Sequence, residues 1–237
     1  MERIGIIGYG RFGQTLAQLL QQDFAVSVFD VNQINLPKPL QAVSLEELAC
    51  LETIFLAVPI RAFADIVQQL APLLTARHSV IDVCSVKVYP VQIMQQYLPS
   101  NVDIIATHPL FGPDSVQQES LKWVLHSVRD QYQRFDAWQT YFKKRCWQTI
   151  SMTPEEHDQY AARTQAITHF IGRSLKASGA AASPIDTLGY QKLLQVMEQT
   201  CHDSVDLFHD LIQYNPYAKV ALEEFLQVAE DLVKKSF

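Results

Sequence analysis

Cysteine is scarce and scattered. Four thiols (Cys50, Cys84, Cys146, Cys201) are spread over 237 residues with no CxxC pair, which excludes a disulfide-built scaffold and reads as reduced thiols in a cytosolic protein. Positive charge is also short, with 19 Lys and Arg against 25 Asp and Glu and a net charge of −6. That balance argues against nucleic acid as the main partner, since phosphate neutralisation needs a basic face. The one basic cluster, Lys143-Lys144-Arg145, reads as a solvated helix end. No apolar run approaches the roughly 18 residues of a membrane-spanning helix. Met1-Glu2-Arg3 passes straight into a strand-like segment, without the basic start and long apolar stretch of a signal peptide. The expectation is a cytoplasmic protein with no membrane or nucleic-acid partner. With 48% apolar and 19% charged residues, the composition excludes disordered, collagen-like and coiled-coil chains, and the length suits one large domain or two small ones.

What is present is an alternation of periods. Short β-branched runs at 3–8, 25–30, 53–58, 79–83 and 102–107 read as strands buried on both faces. Between them, 11–22, 60–74 and 88–97 carry helical spacing, as in Phe12, Leu16, Leu19 and Leu20. This pattern predicts an α/β fold, a doubly wound parallel sheet wrapped by helices. The texture changes near residue 152. Thr153 followed by Pro154-Glu155-Glu156 is a helix start, and helical patterning runs to the C-terminus with breaks near 179–184 and 215–216. The expected division is therefore a sheet domain over 1–152 and a smaller all-helical domain over 153–237.

Gly8-Tyr9-Gly10-Arg11-Phe12-Gly13 fits GxGxxG and lies between the first strand and first helix. The three glycines serve a tight turn, close approach of a pyrophosphate, and close helix–strand packing, with the phosphates at the helix N-terminus. Gly8, Gly10, Arg11, Phe12 and Gly13 are accordingly candidate dinucleotide-binding residues of a Rossmann-type domain. Asp30, at the end of the second strand, is placed to accept hydrogen bonds from the ribose hydroxyls of NAD and to repel the 2′-phosphate of NADP. Val31, Asn32 and Gln33 follow, with no arginine to receive that phosphate, so NAD is expected, with NADP possible. The competing reading of Asp30 is a strand-end residue that bonds its own turn.

Ligands of such sheets bind beyond the carboxyl ends of the strands. Three segments fall there: Ala57-Val58-Pro59, Cys84-Ser85-Val86-Lys87, and Thr107 through Pro113. His108 directly after a strand is a candidate base for a substrate hydroxyl, and Ser85 a candidate to orient that hydroxyl. In the helical part, Asp158 and His169 are eleven residues apart, about three turns, and share a face with Gln165. His157, Asp158 and His169 match no common zinc spacing, and no metal is expected.

These motifs together resemble the prephenate/arogenate dehydrogenase family, and most of all its plant-type arogenate branch. The likeness rests on the glycine loop, residues 84–87, residues 107–113 and Glu155-Glu156-His157-Asp158. It continues in residues 168–173 (THFIGR), 183–190 (SPIDTLGY) and 203–208 (DSVDLF), so that it runs from about Ile4 to Ala229. The resemblance implies oxidation of a ring hydroxyl with loss of the ring carboxylate as carbon dioxide. Prephenate would give 4-hydroxyphenylpyruvate and arogenate would give tyrosine. It implies that His108 holds and polarises the ring hydroxyl, that Ser85 supports it, that the loop around Val58 faces the nicotinamide, and that His169 lies at the substrate. Asp203 matches an acidic position that goes with arogenate preference in the plant-type branch; a carboxylate attracts the ammonium that arogenate has in place of prephenate's keto oxygen. Gln199 stands where many bacterial members carry a substrate-binding arginine. Lys87, Arg173 and Lys192 are therefore the candidate cations for the substrate's carboxylates. Asp30 departs from the serine–arginine type sequence of NADP-using plant members. A homodimer through the helical region is also implied. Two other readings stand beside this one: a catalytically silent dinucleotide-binding regulator, and a Rossmann reductase of another small carbonyl or imine.

Overall fold

The computed structural model describes residues 2–116 and 120–236 and divides into two compact units, Met1–Pro154 and Glu155–Phe237. The first unit is built on one sheet. Its strands are β1 (Arg3–Ile7), β2 (Ala25–Phe29), β3 (Gln41–Ala42), β4 (Thr53–Leu56), β5 (Ser79–Asp82), β6 (Asp103–Pro109), β7 (Lys122–Arg129) and β8 (Gln148–Ser151). Their spatial order is β3-β2-β1-β4-β5-β6-β7-β8. Strands β1 to β6 are mutually parallel, β7 runs antiparallel to β6, and β8 is parallel to β7.

The burial of each strand follows from its place. Central β4 and β5 are buried at all four positions, as strands covered on both faces must be. The edge strand β3 is two exposed residues long, and a short edge limits unwanted pairing. Helices α1 (Arg11–Leu20), α2 (Leu45–Leu48), α3 (Phe63–Leu70) and α4 (Val88–Tyr97) make the crossovers. The stretch read from sequence as one helix over 60–74 is α3 flanked by 3-10 turns, Ile60–Ala62 and Ala71–Leu73. Pro72 removes the backbone donor that the helix would need to continue. Strands β7 and β8 have no counterpart in the sequence pattern, and of α5 (Arg134–Lys144) between them only the basic end, Lys143-Lys144, was expected. An aromatic cluster holds them. Trp123, with no exposure, stacks on Phe142 and Trp147 at centroid distances of 4.7 and 5.5 Å, pairs that add about 0.5–1.5 kcal/mol each beyond their burial.

The second unit is helical: α6 (Pro154–Ala161), a π turn over Ala162–Ala166, α7 (Ile167–Ala177), α8 (Leu188–His202), α9 (Val205–Gln213) and α10 (Ala218–Ser236). Thr187 and Ser204 cap α8 and α9 with their hydroxyls, each cap worth about 1 kcal/mol. Ala162 and Ala166 of the π turn pack on Ala218 and Ala221 of α10. Among the described residues, no helix is long and apolar enough to cross a membrane.

Candidate active site

The sheet order reverses at β1 and β4, where the chain leaves β3 and starts building the other half. The crevice beyond the carboxyl ends of those two strands is where open α/β sheets bind ligands. Gly8 follows β1 and Ala57-Val58-Pro59 follows β4, and both are locked there: Gly8 N donates to Phe29 O at 2.8 Å and Ala57 N to Ile7 O at 2.8 Å. Gly8 has φ +98°, and a Cβ on it would lie 2.4 Å from Ala57 O. A Cβ on Gly13 would lie 2.2 Å from Gly8 O, whereas one on Gly10 would meet nothing within 4 Å. Two glycines are thus demanded by packing. The missing side chain of Gly10, at the N-cap of α1, instead leaves open space over a helix start that has no side-chain cap. This is the cradle a pyrophosphate needs.

Asp30 bonds its own turn and the glycine loop as well. Its Oδ1 accepts from Asn32 N (2.8 Å) and Asn32 Nδ2 (3.1 Å), and its Oδ2 accepts from Tyr9 N at 2.7 Å. A carboxylate offers about four acceptor sites, so these three bonds aim it at the glycine loop and leave capacity for one hydroxyl. The first turn of α1 is tied to the segment after His108. Arg11 pairs with Asp114 at 3.0 Å, and the Phe12 and Phe111 rings lie 5.9 Å apart.

His108 does not follow its strand, as the sequence reading had it, but lies within it. Antiparallel pairing with β7 puts His108 opposite Val124 and Pro109 opposite Trp123, which extends β6 past residue 107. The imidazole is 5% exposed. Ser85, beyond the neighbouring β5, is half-buried, while Cys84, Val86 and Lys87 around it are buried.

Lys87 requires a correction. Expected among the substrate's cations, it is 1% exposed, with its ammonium on Asp82 Oδ1 and Thr107 O. A charge so enclosed must be paired inside the protein, and this one is. Asp82 also accepts from Cys84 N at 3.0 Å and Thr107 N at 3.3 Å, and its carbonyl accepts from Thr107 Oγ1 at 2.6 Å. Burial pushes the Asp82 carboxyl up from its ordinary value, with the Lys87 ammonium and the two backbone donors pulling the other way. Asp82 is not singled out by the sequence pattern, and Thr107 enters there only as the first residue of the segment 107–113. An acid inside the apolar run 79–83 was the available signal, because a buried carboxylate needs a partner.

In the second unit, a polar stripe runs along the π turn and α7. Gln165, His169 and Arg173 follow at four-residue spacing. Gln165 Oε1, His169 Nδ1 and Arg173 Nε are each buried without a hydrogen-bond partner. Such atoms are rare in native interiors; Ser79 Oγ, Asp103 Oδ2, Trp123 Nε1 and Arg129 Nη2 of the sheet unit are left the same way. His169 Nε2 lies 3.9 Å from Asp203 Oδ2. Desolvation holds the His169 imidazole below its ordinary value, Asp203 opposes this, and Arg173 adds to it, so it is neutral at pH 7. Arg173 commits Nη2 to the carbonyls of Thr200, Asp203 and Ser204, at 3.2, 2.8 and 2.8 Å, and its guanidinium lies over Phe208. It therefore builds the α8–α9 corner, with Nε buried and unspent. Asp203 is the C-cap residue of α8, 31% exposed at its side chain. Lys192 and Gln199 are exposed on α8.

Asp158 does not share the stripe. The π turn adds a residue between it and His169, which swings the two apart by roughly a quarter turn relative to an unbroken helix. Asp158 is wholly buried, its Oδ1 2.7 Å from His157 Nδ1 and its carbonyl accepting from Asn215 Nδ2 at 2.8 Å. Among the described residues, no group of three or more His, Cys, Asp or Glu is placed to hold a metal ion.

Comparison with known proteins follows the same division. A family model described as the nucleotide-binding domain of prephenate dehydrogenase matches residues 35–127, and one described as a TYRAAT1-like C-terminal domain matches 174–237. The chain is 34% identical to arogenate dehydrogenase 1, chloroplastic, of Arabidopsis thaliana, over 99% of this chain and 39% of that protein. It is 31% identical to arogenate dehydrogenase 2, chloroplastic, of the same plant, over 98% of this chain and 69% of that protein. It therefore spans well under half the length of the first and about two thirds of the second. The fold is that of prephenate dehydrogenase from Aquifex aeolicus, solved with hydroxyphenyl propionate and NAD+ (TM-score 0.75, 18% identity, 99% of this chain and 90% of that one). It is equally that of Synechocystis arogenate dehydrogenase (TM-score 0.70, 19% identity, 98% and 91%).

Proposed function

The chain belongs to the prephenate/arogenate dehydrogenase family, and from that membership we propose that it catalyses the dinucleotide-dependent oxidative decarboxylation of arogenate or prephenate, the step that yields tyrosine or 4-hydroxyphenylpyruvate. One observation carries the reading: a single sheet holds a dinucleotide cradle at its switch point and places His108 and Ser85 at the carboxyl ends of adjacent strands. Gly8, Gly10, Arg11, Phe12, Gly13, Asp30 and residues 57–59 would hold the cofactor, and when bound it supplies the acceptor for hydride. His108, as a neutral imidazole, draws on the proton of the ring hydroxyl and raises electron density on the carbon that loses hydride. The bond to the ring carboxylate breaks, carbon dioxide leaves, and its electron pair completes the aromatic ring. No net proton is consumed, since the hydroxyl proton ends on the phenol oxygen. Aromatisation drives the step, so the protein's task is to position and polarise.

NAD is the preferred cofactor in this reading, because the Asp30 carboxylate stands where a 2′-phosphate would lie and exposed Val31, Asn32 and Gln33 offer no cation against it. Gln165, His169, Arg173 and Asp203 bind substrate, with Asp203 favouring the ammonium of arogenate. Lys192 supplies exposed positive charge on α8, and Lys87 leaves the set. The helical unit exposes Leu188, Val205, Val220 and Leu232 by more than half, which supports a homodimer through that unit. Initial rates with arogenate and prephenate, each against NAD and NADP, test the whole assignment. Arogenate with NAD is expected to be fastest, and a chain inert in all four pairings overturns the activity.

A further inference from the structure

We propose that Lys87, Asp82 and Thr107 form a buried positioning device whose task is to hold Ser85 and His108 in register with each other; the inference rests on the activity proposed above. Asp82 ends β5 and Thr107 lies beside it on β6, where Asp82 pairs with Ala106. Every polar backbone or side-chain group of Thr107 is engaged by the other two residues. Its N–H donates to Asp82 Oδ2, its hydroxyl donates to Asp82 O, and its carbonyl accepts from Lys87. Thr107 is the residue before His108. On the other strand, Asp82 Oδ1 takes the N–H of Cys84, the residue before Ser85, and Lys87 closes the same loop from its far end. The ion pair thus grips the peptide unit that leads into His108 and, on the other side, the N–H of Cys84, one residue before Ser85.

Stability alone is a poor reason for such a pair. Both side chains are essentially inaccessible to solvent, at 2% and 0%, and taking two charges out of water costs several kcal/mol per ion before their attraction repays it. Apolar residues of similar volume often serve a core equally well. They cannot bond three backbone groups on two strands at fixed angles. A displacement of about 1 Å at a catalytic group can cost on the order of 100-fold in rate, so a rigid polar brace at this point has a catalytic consequence that a hydrophobic plug lacks.

The test is the charge-neutral double variant Asp82→Asn/Lys87→Met, compared with the unaltered chain. Expected are an unchanged far-UV circular dichroism spectrum, an NAD dissociation constant within about threefold, a kcat lower by about 30-fold and a KM within about threefold. The imidazole Cε1–Hε1 NMR signal of His108 moves as well, a readout that does not depend on turnover. Thr107→Val lowers kcat by about fivefold, whereas Thr107→Ser keeps it near that of the unaltered chain, because Ser retains and Val loses the hydroxyl bond to Asp82 O. If the double variant folds with unaltered kcat and an unmoved His108 signal, the inference is wrong. If it does not fold, the Thr107 pair decides, and equal rates for Val and Ser overturn it. An unaltered chain inert towards arogenate and prephenate sinks the activity reading instead, and the NMR signal then still decides whether the brace holds His108.

Discussion

Two buried polar groupings, one in each unit, are built in opposite ways. Around Ser85 and His108 the charges and backbone groups are matched to one another: Lys87 with Asp82, Asp82 with Cys84 and Thr107, Thr107 with both. Along α7 the polar atoms are left open, with Gln165 Oε1, His169 Nδ1 and Arg173 Nε buried and unpartnered. A satisfied network is rigid before anything binds, which suits groups that must meet a transition state in fixed geometry. An unsatisfied stripe carries a cost that a ligand relieves, which suits groups that select a substrate. In the proposed function, chemistry belongs to the grouping around Ser85 and His108 and recognition to the stripe of Gln165, His169 and Arg173.

The strongest way to break the contrast is at His108. His108→Asn should lower kcat by about 1,000-fold with NAD affinity within about threefold, measured by steady-state rates and by calorimetric titration. A variant that keeps most of its rate would remove the chemistry from the sheet unit. The glycine loop gives the next effect, and it separates packing from binding. Gly10→Ala should leave Tm unchanged yet weaken NAD by about 50-fold, since the new methyl enters open space where a phosphate approaches. Gly13→Ala should lower stability by about 2 kcal/mol or more in denaturant titration, because its Cβ would press on Gly8 O at 2.2 Å. Asp203→Asn should reduce kcat/KM for arogenate by about tenfold and leave prephenate nearly unchanged; equal losses would make Asp203 a structural residue of the α8–α9 corner.

The smallest effect is the pH dependence of stability from His169. Desolvation lowers its value in the folded chain below the roughly 6.5 of an unfolded histidine. The unfolded state therefore binds the proton first as pH falls. The contribution is complete above about pH 6.5 and is lost on acidification below it. His169→Asn should flatten the Tm profile between about pH 7 and 5 while leaving the alkaline side unaltered.

Much of this was legible in sequence because it is local. The GxGxxG spacing, Asp30 at a strand end and the change near residue 152 from alternating strands and helices to helical spacing alone all lie within short windows. What was not legible depends on partners distant along the chain. His108 lies within a strand because β7, starting at Lys122, pairs with it. Asp158 leaves the face of His169 because a π turn intervenes where Ala162 and Ala166 pack on α10.

Lys87 shows the limit most clearly. As a residue type it is a cation near a strand end, which the chemistry of a dianionic substrate calls for. Its ammonium is instead enclosed between Asp82, five residues away, and the carbonyl of Thr107, twenty residues away. The sequence by itself determined the fold class, the dinucleotide loop and the family, since glycine spacing and hydrophobic period act on neighbouring residues. Tertiary structure alone decided which cations are spent inside and which polar atoms wait unpaired, because burial and hydrogen-bond partnership exist only once distant segments have met.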